Sequence, residues 1–272
     1  MGLPLTVLIT GASRGIGETT ARHFHARGWS VAATMRQPAN SRLQPDARLK
    51  IYPLDVTDPA SIAATLPAIA ADFGRIDVLV NNAGLCLVGA LEELTPEDDR
   101  QLVETNILGA MNMIRAVLPH MRAAGGGRIV NVSSMCGGMT LPLYSGYCAS
   151  KWGLEGLSES LAFELRQHQI KIKIVEPAVF RTGSFEGQLA HRAQRPQHPA
   201  YEAFVAKVMP NIARWENAAP GPEPVAEAIW RAATDRWPRL RYRVGSALIL
   251  GARGFVPGAL YVRVVRRLLN AW

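Results

Sequence analysis

Cysteine is scarce in this chain. Cys86, Cys136 and Cys148 are the only three in 272 residues. An odd number without a CxxC pair excludes a disulfide framework and a zinc site, and fits a reducing compartment. No run of 18 apolar residues occurs, which argues against a transmembrane helix. The start has no charged stretch followed by a long apolar one, so no secretory signal is expected. Met1-Gly2-Leu3-Pro4-Leu5-Thr6 fits the loose myristoylation pattern, but Leu5 and Thr6 read as part of a first strand. The expected location is cytoplasmic. His23, His25, His120, His168, His191 and His198 are scattered and form no HExxH pattern, so no metal is expected. No Gly-x-Ser-x-Gly elbow surrounds Ser134, which removes the usual serine-hydrolase arrangement.

Negative charge is missing from the end of the chain. The last acidic residue is Asp235, and beyond it come Arg236, Arg239, Arg241, Arg243, Arg253, Arg263, Arg266 and Arg267. Those eight arginines account for the whole net charge of +8. They are dispersed, with no recognition helix or aromatic stacking platform, so nucleic acid is not expected as a partner. A membrane surface, an acidic partner or a solvated, oligomer-facing tail remain open for residues 236–272. Residues 258–272 read as a basic amphipathic helix touching a membrane or a neighbouring subunit.

Apolar residues make up 48% and charged residues 19%, which excludes intrinsic disorder. Strand-like and helix-like segments alternate. Leu5–Thr10, Trp29–Met35, Leu49–Val56, Ile76–Val80, Arg128–Val132 and Ile170–Val175 read as buried strands. Glu18–Arg27, Pro59–Phe73, Pro96 to about Arg122 and Cys148–His168 read as helices between them, with Pro119 expected to kink or end the third. This rhythm predicts a doubly wound α/β sheet in one domain. Residues 177–200 read as a loop. Tyr201, Phe204, Val205, Val208, Met209, Ile212 and Trp215 share one helical face. Residues 224–235 predict a helix, and Arg241–Gly245 a last strand.

Thr10–Gly17 (TGASRGIG) lies between the first strand and first helix. Gly11, Gly15 and Gly17 permit a tight turn and let backbone N–H groups approach a pyrophosphate at the helix start. Where an acidic residue would select NAD, the second strand ends in Met35-Arg36, and Arg14 adds a second cation. A guanidinium fork matches a 2′-phosphate, so NADP(H) is expected over NAD(H). Tyr147 and Lys151 stand four apart on one helix, and a neighbouring ammonium is expected to lower the phenol pKa. Such a pair could move a proton at a carbonyl or alcohol oxygen. Ser134 and Asn81–Gly84 end strands on the side where such folds bind ligands.

These pieces together resemble a classical short-chain dehydrogenase/reductase. The match runs over about residues 5–182: TGASRGIG, Leu54-Asp55-Val56, Asn81–Gly84 (NNAG), Asn106 in Asn106-Ile107-Leu108-Gly109, Ser134, Tyr147-x3-Lys151 and Pro177–Thr182 (PAVFRT). Ala178 departs from the glycine the family usually has after the proline. The resemblance implies a Rossmann-type parallel sheet of order 3-2-1-4-5-6-7, a helical substrate lid over 183–222 and a basic C-terminal extension. It implies Asn106, Ser134, Tyr147 and Lys151 as catalytic residues. Tyr147 would be the acid/base, Lys151 its tuner and ribose ligand, Ser134 the partner of the substrate oxygen, and Asn106 the anchor of a water. It implies dinucleotide contacts from Gly11, Ser13, Arg14, Gly15, Ile16, Gly17, Arg36, Asp55, Val56, Asn82, Ala83, Gly84, Tyr147, Lys151, Pro177, Val179 and Thr182. A homodimer or homotetramer is implied as well.

Leu85, Cys86, Leu87, Met139, Leu141, Leu143, Phe180 and Phe185 surround the expected site. Tyr147–Leu165 is similar to hydroxysteroid- and retinol-dehydrogenase-like members, which implies a bulky apolar carbonyl or alcohol substrate. A 3-oxoacyl or small aldehyde and ketone reductase is the alternative. A non-catalytic NADPH-binding regulator is the alternative of another class, and the joint presence of Asn106, Ser134, Tyr147 and Lys151 disfavours it.

Overall fold

The computed structural model describes residues 4–253 and 255–269; the Met1-Gly2-Leu3 start of the acylation pattern lies outside them. The chain opens with β1 (Thr6–Ile9), α1 (Gly15–Ala26), β2 (Ser30–Met35) and β3 (Leu49–Pro53). Next come α2 (Pro59–Phe73), β4 (Val78–Asn81), α3 (Pro96–Val103) and α4 (Gly109–Ala123). The second half holds β5 (Gly127–Val132), α5 (Ser145–Glu164), β6 (Ile170–Pro177), α6 (Ser184–Ala193) and α7 (Pro199–Ala218). It finishes with α8 (Glu223–Thr234), β7 (Arg241–Val244), α9 (Ala247–Arg253) and α10 (Gly258–Leu268).

The seven strands form one parallel sheet in the order β3-β2-β1-β4-β5-β6-β7, as the resemblance implies. Val7 sits opposite Val31 on one side and Val78 on the other, so the strand order reverses at β1. A parallel sheet needs cover on both faces, and alternate side chains supply it. Val7, Ile9, Val31 and Val80 pack with Phe24 of α1 and Val225 and Ile229 of α8. Leu8, Ala32, Leu79 and Ile129 pack with Ile69 of α2 and Met113 and Val117 of α4. Phe24 is fully buried, and emptying such a site costs about 3–5 kcal/mol. Local chemistry fixes the ends of α2. Asp58 accepts a hydrogen bond from Ala60 N at 2.9 Å, Pro59 takes the first turn, and Gly74 leaves at φ 77°.

Three sequence expectations need correction. Residues 177–200 are not a plain loop, because α6 occupies Ser184–Ala193 and α7 begins at Pro199. Pro119 does not end its helix: α4 continues to Ala123, held by the inward Met113, Val117 and Met121. The interruption comes earlier, as a π-helical turn over Glu104–Leu108 between α3 and α4. The basic extension is not wholly a tail. The last strand expected over Arg241–Gly245 is present as the sheet edge strand β7, where Arg241 meets Glu155, Glu159 and Glu176, and Arg243 meets Glu176.

Candidate active site

The carboxyl ends of β1, β4 and β5 converge on a cleft of about 620 Å³. The glycine loop forms one end. Gly11 and Gly15 hold φ of 67° and 56°, where a side chain is strained. A Cβ on Gly17 would lie 2.3 Å from the Gly11 carbonyl oxygen, so only glycine lets α1 start this close to the loop. Asn82 braces the loop from β4: its Nδ2 donates to the Thr10 carbonyl at 2.9 Å and the Gly11 carbonyl at 3.0 Å. The Asn82 amide donors are therefore spent on the loop.

The other end holds Tyr147 and Lys151, which share the inner face of α5. The Lys151 ammonium lies 5.9 Å from the Tyr147 ring centre and donates to the Val132 carbonyl at 2.9 Å. Burial lowers the Lys151 pKa to about 8. The lowered phenol pKa expected beside Lys151 is corrected here. Burial pushes the Tyr147 phenol well above its usual range, Cys86 and Cys136 add to the rise, and a hydrogen bond with Ser134 works against it. The phenol is thus held protonated. Ser134 also accepts from Cys136 N at 3.2 Å, which fixes the turn after β5.

Asn106 sits in the π-helical turn and is buried. Its amide pairs with both backbone groups of Leu85 and donates to Ser150 Oγ at 2.8 Å. It reaches the cleft through Gly84, where an added Cβ would lie 3.4 Å from Asn106 Oδ1 and 3.7 Å from Lys151 Nζ.

The cleft walls bring together Gly11, Ser13, Arg14, Gly15, Ile16, Gly17, Arg36, Asp55, Val56, Asn82, Ala83, Gly84, Tyr147, Lys151 and Thr182. Asn106, Ser134, Pro177 and Val179 stand behind or beside the lining rather than in it. Pro177 is buried at the end of β6, and Val179 packs into the apolar cluster below Tyr147. Sequence reasoning missed Thr57, Gln101, Glu104, Thr105 and Ser184 in the walls. These are ordinary polar residues with no motif spacing, so no signal marked them.

The cleft fits a dinucleotide. A Cβ at Gly11, Gly15 or Gly17 would meet atoms of Ala83, Thr182 or Gly11 within 3 Å, which marks a cradle built for close backbone approach. Arg36 lines the cleft with no hydrogen-bond or ion-pair partner among the described residues. Arg14 makes one 3.4 Å hydrogen bond to the Gly183 carbonyl. Asp55 already accepts from Thr57 N and Oγ1.

Below Tyr147 the surroundings turn apolar. Val88, Met135, Cys136, Met139, Leu143, Cys148, Phe185, Val208 and Ile212 form one buried cluster, against which Cys86, Tyr147, Phe204 and Trp215 pack. All three free cysteines therefore converge here. Helices α6 and α7 close this side. Arg192 of α6 forms a two-pronged pair with Glu93, both largely buried. Arg195 and His191 meet the buried Asp98. Burial would raise the Asp98 carboxyl, but hydrogen bonds from Arg195 and Thr95 prevail and hold it at about 2.

Comparison with known proteins agrees with this geometry. Residues 5–193 match the family model described as short chain dehydrogenase. The chain is 35% identical over 242 residues to 3-ketodihydrosphingosine reductase of Bacteroides thetaiotaomicron, covering 89% of this chain and 88% of that protein. It is 34% identical over 288 residues to retinol dehydrogenase 8 of Bos taurus, covering 99% and 91%. A crystal structure of a short-chain dehydrogenase from Streptomyces avermitilis superimposes with a TM-score of 0.79 at 35% identity, covering 100% of this chain and 97% of that one.

Proposed function

This chain belongs to the short-chain dehydrogenase family and is an oxidoreductase; from that premise we propose that it is an NADP(H)-dependent alcohol dehydrogenase or carbonyl reductase acting on a bulky apolar substrate. One observation carries the reading: the Tyr147 phenol stands between a glycine-cradled cleft and an apolar cluster, with Lys151 beside it. A ketone seated on the apolar side would place its oxygen at the phenol.

Gly11, Ser13, Arg14, Gly15, Ile16 and Gly17 would hold the diphosphate, and Arg36 the 2′-phosphate. Asp55, Val56, Asn82, Ala83 and Gly84 would line the adenosine side, with Pro177, Val179 and Thr182 at the nicotinamide end. The chemistry supplied by the bound dinucleotide is hydride transfer to or from carbon. The chain's own residues manage the proton. Tyr147 Oη donates it to the carbonyl oxygen during reduction and takes it from the hydroxyl during oxidation. Ser134 donates a hydrogen bond to the same substrate oxygen and orients it. Lys151 holds positive charge next to the phenolate that forms and so lowers the cost of forming it. Asn106 keeps the Leu85 backbone and the π-helical turn in place behind Lys151.

The apolar cluster supports the bulky substrate, with α6 and α7 proposed as its lid. The names of the two relatives cited above, a 3-ketodihydrosphingosine reductase and a retinol dehydrogenase, support the same choice. NADPH oxidation followed by absorbance across long-chain, polycyclic and small ketones and aldehydes tests it. Turnover concentrated on the long or polycyclic members is expected. Turnover confined to small carbonyls would favour the small-aldehyde alternative, and none with any member would favour an NADPH-binding regulator.

A further inference from the structure

Helices α9 and α10 lie against the apolar side of the site rather than projecting from the protein. Leu250, Tyr261, Val265 and Leu269 pack on the cluster that also receives Tyr147 and Cys86. Tyr261 is tied to Thr140, and Asn211 Nδ2 donates to the Leu269 carbonyl at 3.0 Å. The attachment is shallow: no residue within α10 itself is buried.

The outward side of α10 and the turn before it is unusual in two independent ways. Leu260, Val264 and Leu268, one turn apart, are 47%, 45% and 61% exposed. Phe255, in the turn before them, is 91% exposed. Beside this stripe, Arg263 and Arg267 are exposed and have no partner among the described residues. No acidic residue follows Asp235 in the sequence to compensate them. An apolar stripe flanked by unpaired arginines on one shallowly seated helix is the pattern of an interfacial helix.

We propose that the outer face of α10 and the turn before it docks on an anionic phospholipid surface, with Leu260, Val264, Leu268 and Phe255 entering the headgroup region and Arg263 and Arg267 on lipid phosphates. Charge selects this occupant over a second copy of the chain. A twofold contact through α10 would set Arg263 and Arg267 against their own equivalents with no carboxylate nearby. The inner side of α10 covers the apolar cluster through Tyr261 and Val265, so docking brings that side of the site to the lipid. The proposal goes beyond the catalytic reading and does not depend on it.

The test is cosedimentation of the full chain with phosphatidylcholine vesicles, with and without phosphatidylglycerol. Binding is expected only with phosphatidylglycerol present, and it should weaken as salt rises. At about a fivefold gain per arginine near an anionic surface, the double variant Arg263→Gln with Arg267→Gln should bind roughly thirtyfold more weakly. Leu260→Ser with Leu268→Ser should also weaken binding. An unchanged thermal midpoint in both variants shows that the fold persists. Wild-type protein left in the supernatant would overturn the proposal, as would binding equal on both vesicle types and unaffected by the arginine changes. Self-association without vesicles that Leu260→Ser with Leu268→Ser abolishes would assign the face to a second copy instead, and also overturn it.

Discussion

Asn106 clasps Leu85 through both ends of its amide. Nδ2 donates to the Leu85 carbonyl at 2.8 Å, and Oδ1 accepts from Leu85 N at 2.7 Å. Alanine there strands a backbone N–H and a carbonyl at a buried site and takes one donor from the Ser150 hydroxyl, which keeps its own bond to the Tyr147 carbonyl. Unsatisfied buried groups cost about 1–3 kcal/mol each. Asn106→Ala is expected to lose at least about 2 kcal/mol in urea unfolding, and to lower kcat because the turn behind Lys151 loosens. A stability equal to wild type would show that the clasp is dispensable.

Lys151 should leave a signature in stability against pH. Its pKa is about 8 when folded and 10.5 when exposed. Below about pH 8 both states are charged and the folded protein carries the whole cost of burying the ammonium. Between about 8 and 10.5 the folded lysine loses its proton while the unfolded chain still keeps it. Wild type therefore gains on Lys151→Met across that window, by about 3 kcal/mol in all, and the difference is flat on either side. Denaturant midpoints at a series of pH values measure this. A difference that does not change with pH would mean that the ammonium is not desolvated.

Arg36 stands on the cleft wall without a partner among the described residues. If it reads a 2′-phosphate, Arg36→Asp loses a charge-assisted bond to NADPH and gains an acceptor for a ribose hydroxyl. The ratio of kcat/KM for NADPH over NADH is expected to fall by more than about tenfold. An unchanged ratio would place phosphate recognition elsewhere, with Arg14 the next candidate.

Arg192 and Glu93 form a largely buried pair that pins α6 beside the apolar cluster. Removing one partner leaves a buried charge, and such changes cost about 3–5 kcal/mol. Arg192→Ala is expected to fall in that range and to raise KM for a long apolar ketone more than for a small one. Equal KM changes for both would separate α6 from substrate binding.

The parts of the molecule that were legible in the sequence are those where spacing alone carries the chemistry. Gly11, Gly15 and Gly17 after an apolar strand, and Tyr147 four residues before Lys151, lie where their spacing places them. The six buried strands could be read because parallel strands are apolar on both faces. Helix α6 escaped notice because two of its three buried residues, Gln188 and Arg192, are polar. Its inward face is satisfied by Glu93 rather than by oil, so apolar periodicity has nothing to register. The π-helical turn escaped for a related reason: it is held by the Asn106 amide on Leu85, a contact 21 residues away in sequence. The ion pairs of Arg241 and Arg243 could not be read because their carboxylates, Glu155, Glu159 and Glu176, come from α5 and β6. The phenol pKa was misjudged because the burial of Tyr147, and the three cysteines that add to the rise, are brought together only by the fold.

The central claim is that the Tyr147 hydroxyl carries the proton. Tyr147→Phe removes one oxygen and leaves the ring packed against Tyr144, 6.2 Å away between centres. Turnover with an accepted ketone and affinity for NADPH should be measured on this variant side by side. The account predicts that kcat falls by about 10²–10⁴, the usual share of a positioned general acid, while the NADPH Kd stays within a factor of about three, since the phenol is at most a minor ligand of the dinucleotide. Turnover close to wild type would contradict it.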